Sequence, residues 1–325
     1  MQKSQIPSWR AAGLRFFAYG FYLRGRFGCR VQKVSLDAGF TCPNVDGTVA
    51  VGGCVFCDNR SFSPSRRLPR TTIAGQLDEG IRRLRRRYRV DRFLAYFQPA
   101  TNTYAPLERL RGLYQQALAH PRVVGLAVGT RPDCVPDGVL DLLAELAEQT
   151  YLSVEYGMQS MHDRSLEWMN RGHRHEAFVD AVERSRGRGF EICAHVILGV
   201  PGESHGDMLA TANELARLGV HSVKLHNLYA VRNTPLAEWV RCGQVRLMSR
   251  EDYVRTVVDF LELLPPQCLV ERIGGDAPPD YLVGPSWCLD KHGLRSALDA
   301  EFCRRDTWQG RTYQAPAASK LVEAC

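Results

Sequence analysis

The residues with the clearest capacity for chemistry are three cysteines in one glycine-rich stretch, "GFTCPNVDGTVAVGGCVFCDN" (residues 39–59). Eleven residues separate Cys42 from Cys54, and Cys54 and Cys57 form a C-x-x-C pair. Grouped thiolates bind zinc or iron, or act as a redox dithiol. The stretch therefore indicates metal or thiol chemistry.

These three possibilities place different demands on the ligands. A structural zinc ion usually takes four ligands, commonly from two knuckles, yet the sequence contains no second C-x-x-C. A redox dithiol needs only Cys54 and Cys57, which leaves Cys42 unexplained. An iron–sulfur cluster normally takes four thiolates, so three cysteines on one loop would leave one iron open to another ligand. The spacing favours such a cluster over zinc or a dithiol.

Composition predicts a globular, cytoplasmic protein. The 325 residues are 45% hydrophobic and 24% charged, which is enough to bury a full core. No apolar run approaches the roughly 18 residues of a membrane span, and arginines interrupt the aromatic N-terminal stretch, so neither a membrane nor a secretory signal is expected. Eleven scattered cysteines, an odd number, argue against a disulfide framework.

The elements that must position the cysteines alternate between strand and helix. Apolar or β-branched runs are separated by stretches of helical period, which is typical of a parallel sheet; the runs cover residues 33–39, 93–99, 123–130, 151–160, 191–200 and 222–230. Units of about 30 residues are typical of β/α barrels, and six units predict a partial, open barrel. We expect the barrel at 33–265, a basic and aromatic extension at 1–32, and a C-terminal extension at 266–325 that packs on the barrel.

In barrels of this kind the chemistry lies at the C-terminal ends of the strands. The three cysteines follow the first predicted strand directly, which puts them at this mouth. Polar residues on or after later strands are candidates for the same site, among them Gln98, Arg131, Glu155 and Gln159. The alternative for Arg131 and Glu155 is a structural ion pair between neighbouring strand ends.

Positive charge is concentrated around the cysteines. Residues 1–92 hold 18 Lys/Arg and 6 Asp/Glu, a net charge of +12 in a chain whose total is +7. Aromatic residues are interleaved with these cations, as in proteins that bind phosphates and stack on bases. The candidate nucleic-acid contacts are Arg82, Arg83, Arg85, Arg86 and Arg87. Alternatively, these arginines form the solvated face of a helix and the aromatics belong to the core.

The chain resembles the radical S-adenosylmethionine (SAM) enzymes, and more narrowly the group related to the elongator catalytic subunit. The resemblance rests on motifs and on their order along nearly the whole chain: "DAGFTCPNVDGTVAVGGCVFCDN", "YFQPATNTYAP", "GTRPD", "VEYGMQS", "NRGH", "VILGVPGE", "GGDAPPDYLVGPSWCLDKH" and "RDTWQG". It implies that Cys42, Cys54 and Cys57 bind a [4Fe–4S] cluster whose fourth iron chelates SAM.

Further roles are implied by the same resemblance. Arg171 would pair with the SAM carboxylate, and Gln98 would stand where the superfamily usually has a glutamate that holds the SAM amino group. Gln159 would contact ribose or adenine, while Phe56, Ile197 and Gly199 would lie near adenine. Cys288 is a possible hydrogen-atom donor.

The implied reaction is reductive cleavage of SAM to a radical that takes a hydrogen atom from a second substrate, with a flavodoxin or ferredoxin as electron donor. Analogy and charge favour a tRNA wobble-uridine side chain as that substrate, for example the remodelling of a carboxymethylaminomethyl group. Two alternatives remain open: a radical SAM enzyme for a small metabolite or a protein, and a non-catalytic iron–sulfur or zinc protein that binds nucleic acid.

Overall fold

A computed structural model describes residues 8–315, and its centre is one curved sheet of parallel strands. The strands of this sheet are β1 Val31–Leu36, β2 Arg92–Phe97, β3 Val123–Thr130, β4 Tyr151–Gln159, β5 Glu191–Leu198, β6 Ser222–Asn227 and β8 Leu269–Ile273. They lie in the order β1-β2-β3-β4-β5-β6-β8, with β1 and β8 unpaired with each other at the two edges. A separate antiparallel pair joins β7 Ala230–Val231 to β9 Leu282–Gly284. This open half-barrel confirms the predicted fold class.

Most of the helices cover the outer face of the sheet. Within residues 8–315 they are α1 Tyr19–Phe27, α2 Asn59–Phe62, α3 Ile73–Tyr88, α4 Leu107–Leu118, α5 Asp137–Gln149, α6 Asp163–Trp168, α7 His175–Ser185, α8 His205–Leu218, α9 Pro235–Arg241, α10 Arg250–Leu263 and α11 Lys291–Arg305. Helix α3 shows why such segments fold as they do. Thr72 caps its first turn by accepting a hydrogen bond from the Gly75 backbone, and Ile73, Leu77 and Ile81 recur on one buried face.

The sheet contains one strand more than the six counted from the sequence. Strand β8 lies beyond residue 265, in the segment expected to be an extension, and it pairs in parallel with β6. Its sequence, LVERI, is short and carries two charges, so it lacks the apolar run by which the other strands are recognised. The barrel therefore continues into the segment predicted as 266–325, of which residues 316–325 lie outside the described part.

The N-terminal segment closes the amino ends of the strands. The Val270 backbone donates to Phe17 O at 2.9 Å, and Tyr19 and Leu23 of α1 form an apolar cluster with residues at the starts of several strands. Trp9 and Phe16 are also buried. These side chains belong to the core, so the expectation that the N-terminal aromatics stack on bases is wrong for them. Residues 1–7 lie outside the described part of the chain.

No helix within residues 8–315 is long and apolar enough to cross a membrane. The described cysteines are all free thiols.

The packing of α3 on β1 predicts opposite effects for two helical glycines. A Cβ on Gly80 would lie 2.5 Å from Val34 Cγ1, whereas a Cβ on Gly112 in α4 meets nothing within 4 Å. We expect Gly112→Ala to stabilise the protein by about 0.5–1 kcal/mol through helix propensity. Gly80→Ala should lose that gain to overpacking that costs about 1–3 kcal/mol. Urea unfolding of both variants measures the difference, and equal stabilisation by both would contradict the close approach of α3 to β1.

Candidate active site

The cysteine loop follows β1 and reaches across the carboxyl ends of the strands. It is anchored to the segment after β4, because the Val55 backbone donates to Met169 O at 3.1 Å and Asn170 Nδ2 donates to Gly53 O at 2.8 Å. It is also tied to α9, whose Leu236 backbone donates to Val55 O at 3.0 Å. The loop thus lies at the mouth of the barrel, where the sequence placed it.

The three thiols share one electrostatic environment. Cys54 is buried, Cys42 is half-buried and Cys57 is exposed. Partial desolvation of the sulfur, followed by the charges of Cys54 and Cys42, raises the pKa of Cys57 well above its usual range. Within residues 8–315, no three His, Cys, Asp or Glu side chains converge closely enough to hold a single metal ion.

Arg171 and Arg131 lie at the same mouth but differ in their partners. Arg131 is paired with Asp133 through two hydrogen bonds of 2.9 and 2.7 Å. Arg171 is buried, and its guanidinium donates to Cys54 Sγ at 3.3 Å and to Gly157 O at 2.9 Å, with no carboxylate partner among residues 8–315. Its Nε has no hydrogen-bond partner in the described part of the chain. Nη1 of Arg131 also lacks a hydrogen-bond partner there. Of these two arginines, Arg171 is therefore the one that no carboxylate neutralises, and it also touches one of the thiols.

Three residues assigned to adenine lie close to one another. Ile197 belongs to a buried apolar cluster at the mouth, and Phe56 of the cysteine loop packs against that cluster. Gly199 follows β5 with φ +85°, and a Cβ there would lie 2.6 Å from Met248 Sδ. The structure thus brings the Phe56 ring and the Ile197 side chain into one apolar cluster, while the backbone at Gly199 packs against Met248.

The two glutamines have different environments. Gln159 ends β4 with φ +68°, and its side chain folds back towards Gly157. A Cβ on Gly157 would lie 2.7 Å from Gln159 Nε2 and 3.0 Å from Arg171 Nη2. Gln159 and Arg171 therefore lie side by side. Gln98, after β2, makes a long hydrogen bond of 3.4 Å, to Phe62 O.

Glu155 does not pair with Arg131; its side chain lies in the barrel interior. Its Oε1 accepts from Lys33 Nζ at 2.7 Å, and its Oε2 accepts from His195 Nε2 at 2.9 Å and from Lys224. Lys33 also binds Glu271 Oε2 at 2.5 Å. The ion pair considered as an alternative for Glu155 therefore exists, but with lysines of β1 and β6 in place of an arginine at the neighbouring strand end.

Burial and charge oppose each other in this network. Burial alone would raise the pKa of Glu155, but the charges of Lys224 and Lys33 outweigh it and hold that pKa well below its usual range. Burial lowers the pKa of Lys224, and repulsion from Lys33 adds to that shift. Glu155 is thus held as a carboxylate that two lysines share.

Cys288 lies apart from the three clustered thiols. It is buried, and Asn227 Nδ2 donates to its Sγ at 3.0 Å. Desolvation raises the pKa of Cys288 to about 11, which keeps it a neutral thiol at neutral pH. A hydrogen-atom donor must carry that hydrogen, so the role assigned by resemblance stays a prediction.

The arginines of α3 lie at the other end of the barrel. The last turn of this helix directly precedes β2, and Arg85 and Arg122 both pair with Asp91 at 2.8 Å, beside the amino ends of β2 and β3. The candidate contacts in α3 are all exposed: Arg82, Arg83, Arg85, Arg86 and Arg87. The cysteine loop, however, lies at the opposite ends of the strands. A different group of exposed arginines lies at the mouth, where Arg109 and Arg70 contact residues 38–40.

Sequence reasoning missed several residues of the site. Asn44 is fully buried and donates to Cys54 Sγ at 3.5 Å, and Lys33, Lys224 and Glu271 form the interior network with Glu155. A signal was present for the network, because charged residues sit in the middle of otherwise apolar strands. Such residues are rarely buried unless they are paired with one another.

Comparisons with known proteins give two family matches. A family model described as the radical SAM superfamily matches residues 48–215, and one described as the radical SAM C-terminal domain matches residues 220–304. The first match includes Cys54 and Cys57 and begins after Cys42.

Similar proteins extend the comparison. The chain is 39% identical over 314 residues to the uncharacterized protein YtqA of Bacillus subtilis, which covers 97% of each chain. It is 25% identical over 185 residues to the tRNA uridine(34) acetyltransferase of Dehalococcoides mccartyi, covering 56% of this chain and 40% of that protein. The solved structure of Elp3 from Methanocaldococcus infernus matches with a TM-score of 0.64 at 18% identity, covering 86% of this chain and 64% of that one. That likeness shows the fold alone.

The unequal pairing of the two arginines predicts unequal effects on SAM binding. Arg171→Lys keeps the charge but loses the planar fork, so we expect SAM affinity to fall by about 10- to 100-fold, as for the loss of a charge-assisted hydrogen bond. Arg131→Lys is the matched control and should change the affinity by less than about threefold, because Asp133 already occupies its guanidinium. Calorimetry on reconstituted protein, normalised to iron content, makes the measurement. A larger loss in Arg131→Lys would transfer the carboxylate contact to Arg131.

Proposed function

Because the chain belongs to the radical SAM superfamily, we propose that it binds a [4Fe–4S] cluster and SAM and uses them to modify the side chain of a wobble uridine in tRNA. The observation that carries the proposal is the cysteine loop at the barrel mouth, with three free thiols beside the buried Arg171, which is free of carboxylates among the described residues. Each part of the proposal is supported by a different feature of the chain.

The donor set fits the cluster. Cys42, Cys54 and Cys57 would hold three irons and leave the fourth for SAM. Arg171 and Asn44 donate to Cys54 Sγ, and such contacts stabilise the negative charge of a thiolate ligand. When bound, the cluster supplies the electron that cleaves SAM.

The residues around the loop fit SAM. Arg171 would bind its carboxylate, while Gln159 lies beside that guanidinium to contact the polar part of the nucleoside. Phe56 and Ile197 would enclose adenine against the backbone at Gly199. These contacts orient SAM at the mouth and exclude water from it, which is the contribution a protein makes to cofactor chemistry.

Reduction requires an electron donor, for which we propose a flavodoxin or ferredoxin. The cysteine loop supports this proposal because it is accessible from outside. Cys57 is exposed, and so are three valines of the loop: Val45 at 57%, Val49 at 45% and Val51 at 79%. Exposed apolar residues grouped in this way are typical of a protein contact.

The RNA part of the proposal rests on analogy and charge. The relative from Dehalococcoides is named for tRNA uridine 34, and it matches about half of this chain. Three exposed arginines at the mouth have no carboxylate partner within the described residues: Arg67, Arg70 and Arg109. Unpaired arginines at the entrance would bind phosphates and guide the nucleotide into the barrel.

The cluster assignment predicts which cysteines are essential. Changing Cys42, Cys54 or Cys57 to Ala should abolish the iron-linked absorbance and reductive SAM cleavage together, because each thiol holds one iron. Cys134→Ala is the matched control, since burial raises the pKa of this cysteine and the nearby charges of Asp133 and Cys42 raise it further. It should leave both signals intact. Anaerobically purified protein that holds zinc and no iron would overturn the cluster, and absent SAM cleavage would favour the non-catalytic alternative.

The RNA assignment predicts a change in tRNA. Mass spectrometry of nucleosides from a deletion strain and its parent should show an altered wobble uridine in the deletion strain, and the accumulated nucleoside would identify the reaction. Identical profiles, with the gene expressed in the parent, would overturn tRNA as the substrate and favour a small molecule or a protein.

The charge argument is tested with two matched triple variants. Replacing Arg67, Arg70 and Arg109 with Gln should weaken tRNA binding and reduce its salt dependence by about one unit of slope for each phosphate that is no longer neutralised. Replacing Arg83, Arg86 and Arg87 of α3 removes the same charge from the opposite end of the barrel. If only the α3 variant changes the slope, the RNA path follows the helix predicted from the sequence and the mouth arginines are not contacts.

A further inference from the structure

The barrel interior carries more positive than negative charge. Lys33, Lys224 and Arg272 face two carboxylates, Glu155 and Glu271. All four carboxylate oxygens are in use, because the Glu155 oxygens accept from both lysines and His195, and the Glu271 oxygens accept from Lys33 and from Ser222 Oγ at 2.9 Å. Among these described residues, one cation is therefore left without a counter-charge.

That cation is Arg272. The parallel register of β6 and β8 shifts between Val223 and Lys224, so that Arg272, although adjacent to the inward Glu271, lies opposite Lys224, whose side chain points into the barrel. Arg272 is exposed, and it makes no hydrogen bond or ion pair with any residue of 8–315. The next carboxylate along the chain, Asp276, is paired with Lys291 at 2.7 Å. Arg272 thus presents a free guanidinium to the interior.

His226 provides a second unused group in the same space. It lies two residues after Lys224 on β6, and its Nε2 is buried without a hydrogen-bond partner among the residues that the structure describes. Its ring centroid is 5.5 Å from that of His195, which Glu155 orients. Burial lowers the pKa of His226 well below its usual range, and the charge of Arg272 lowers it further. The imidazole is therefore neutral, with one nitrogen free to donate.

The interior space adjoins the cysteine loop. Tyr229 lies between the interior space and the cysteine loop. Burial raises the pKa of Tyr229, and the charges of both Arg272 and Cys57 also act on that pKa. Lys33 and His195 keep 17% and 20% of their side-chain surface accessible, so this space is not sealed.

We propose that Arg272 and His226 form a binding site for an anionic oxygen group, a carboxylate or a phosphate, of the second substrate. The inference rests on the proposed function only in that a second substrate enters the barrel. A guanidinium and an imidazole N–H are suited to such a group. Lys33 and Lys224 add to the positive electrostatic potential of this space, but their ammonium groups are already paired with Glu155 and Glu271. Arg272 and His226 would then select a negatively charged substrate and fix its position below SAM.

A test that requires no knowledge of the substrate uses the full chain with histidine-labelled NMR. Acetate and inorganic phosphate are the two probes, and the signal of His226, assigned with His226→Gln, is followed during each titration. We expect a saturable shift in the millimolar range for one probe, lost in Arg272→Gln and partly restored in Arg272→Lys. Arg92→Gln is the matched control, because Arg92 is also an exposed strand arginine without an ion pair to any residue of 8–315.

The outcomes separate the sources of the anion. Saturation by acetate identifies a carboxylate, and saturation by phosphate identifies a phosphate group. No saturable shift with either probe overturns the site. If SAM alone shifts His226 and Arg272→Gln weakens SAM binding, the anion is the SAM carboxylate and the inference is wrong.

Turnover provides a second and independent measurement. Arg272→Gln should reduce modification of tRNA from the deletion strain by at least about tenfold, while Arg92→Gln stays within about twofold of the wild type. Unchanged modification would contradict the site. If deletion leaves tRNA unaltered but acetate still shifts His226 through Arg272, the proposed RNA substrate fails and the anion site stands.

Discussion

The structure depends on four charges that are buried together inside an open sheet. Lys33 lies on β1 and Glu271 on β8, so their 2.5 Å contact joins the two strands that do not pair with each other. Glu155 on β4 and Lys224 on β6 complete the network. An unpaired charge in this interior would cost several kcal/mol, and removal of one partner from a buried pair typically costs about 3–5 kcal/mol. The sheet must therefore curve enough to bring its edges within reach of one lysine side chain.

This constraint divides the barrel into three levels along the strands. The N-terminal segment and α1 close the amino ends with aromatic side chains, the charged network occupies the middle, and the cysteine loop spans the carboxyl ends. The charged network separates the apolar side chains at the amino ends of the strands from the mouth, which is rich in unpaired donors. Two polar atoms without partners among residues 8–315, Arg171 Nε and His226 Nε2, are found above or at this level. Native proteins satisfy nearly all buried polar atoms, so these exceptions mark where a ligand is expected.

The excess of positive charge in residues 1–92 resolves into separate roles. Lys33 neutralises buried carboxylates, the arginines of α3 lie on the outer surface near the amino ends of the strands, and Arg70 lies beside the cysteine loop. A total charge cannot distinguish these environments. Only the charges at the mouth and in the interior can act on a substrate there.

The sequence by itself determined the fold class and the thiol cluster, because both are local patterns. Parallel strands buried on both faces read as apolar runs, and three cysteines close together in sequence must share a loop. Strand β8 was not predicted because LVERI carries the charges that complete the interior network, and the sequence left the N-terminal aromatics open between stacked bases and the core because composition does not report burial. The partners of Glu155 are 122 and 69 residues away along the chain, so no spacing rule could identify them. Tertiary structure decided which charges are paired and which, like Arg171 and Arg272, are left free within the described chain, because pairing depends on how far the sheet curves.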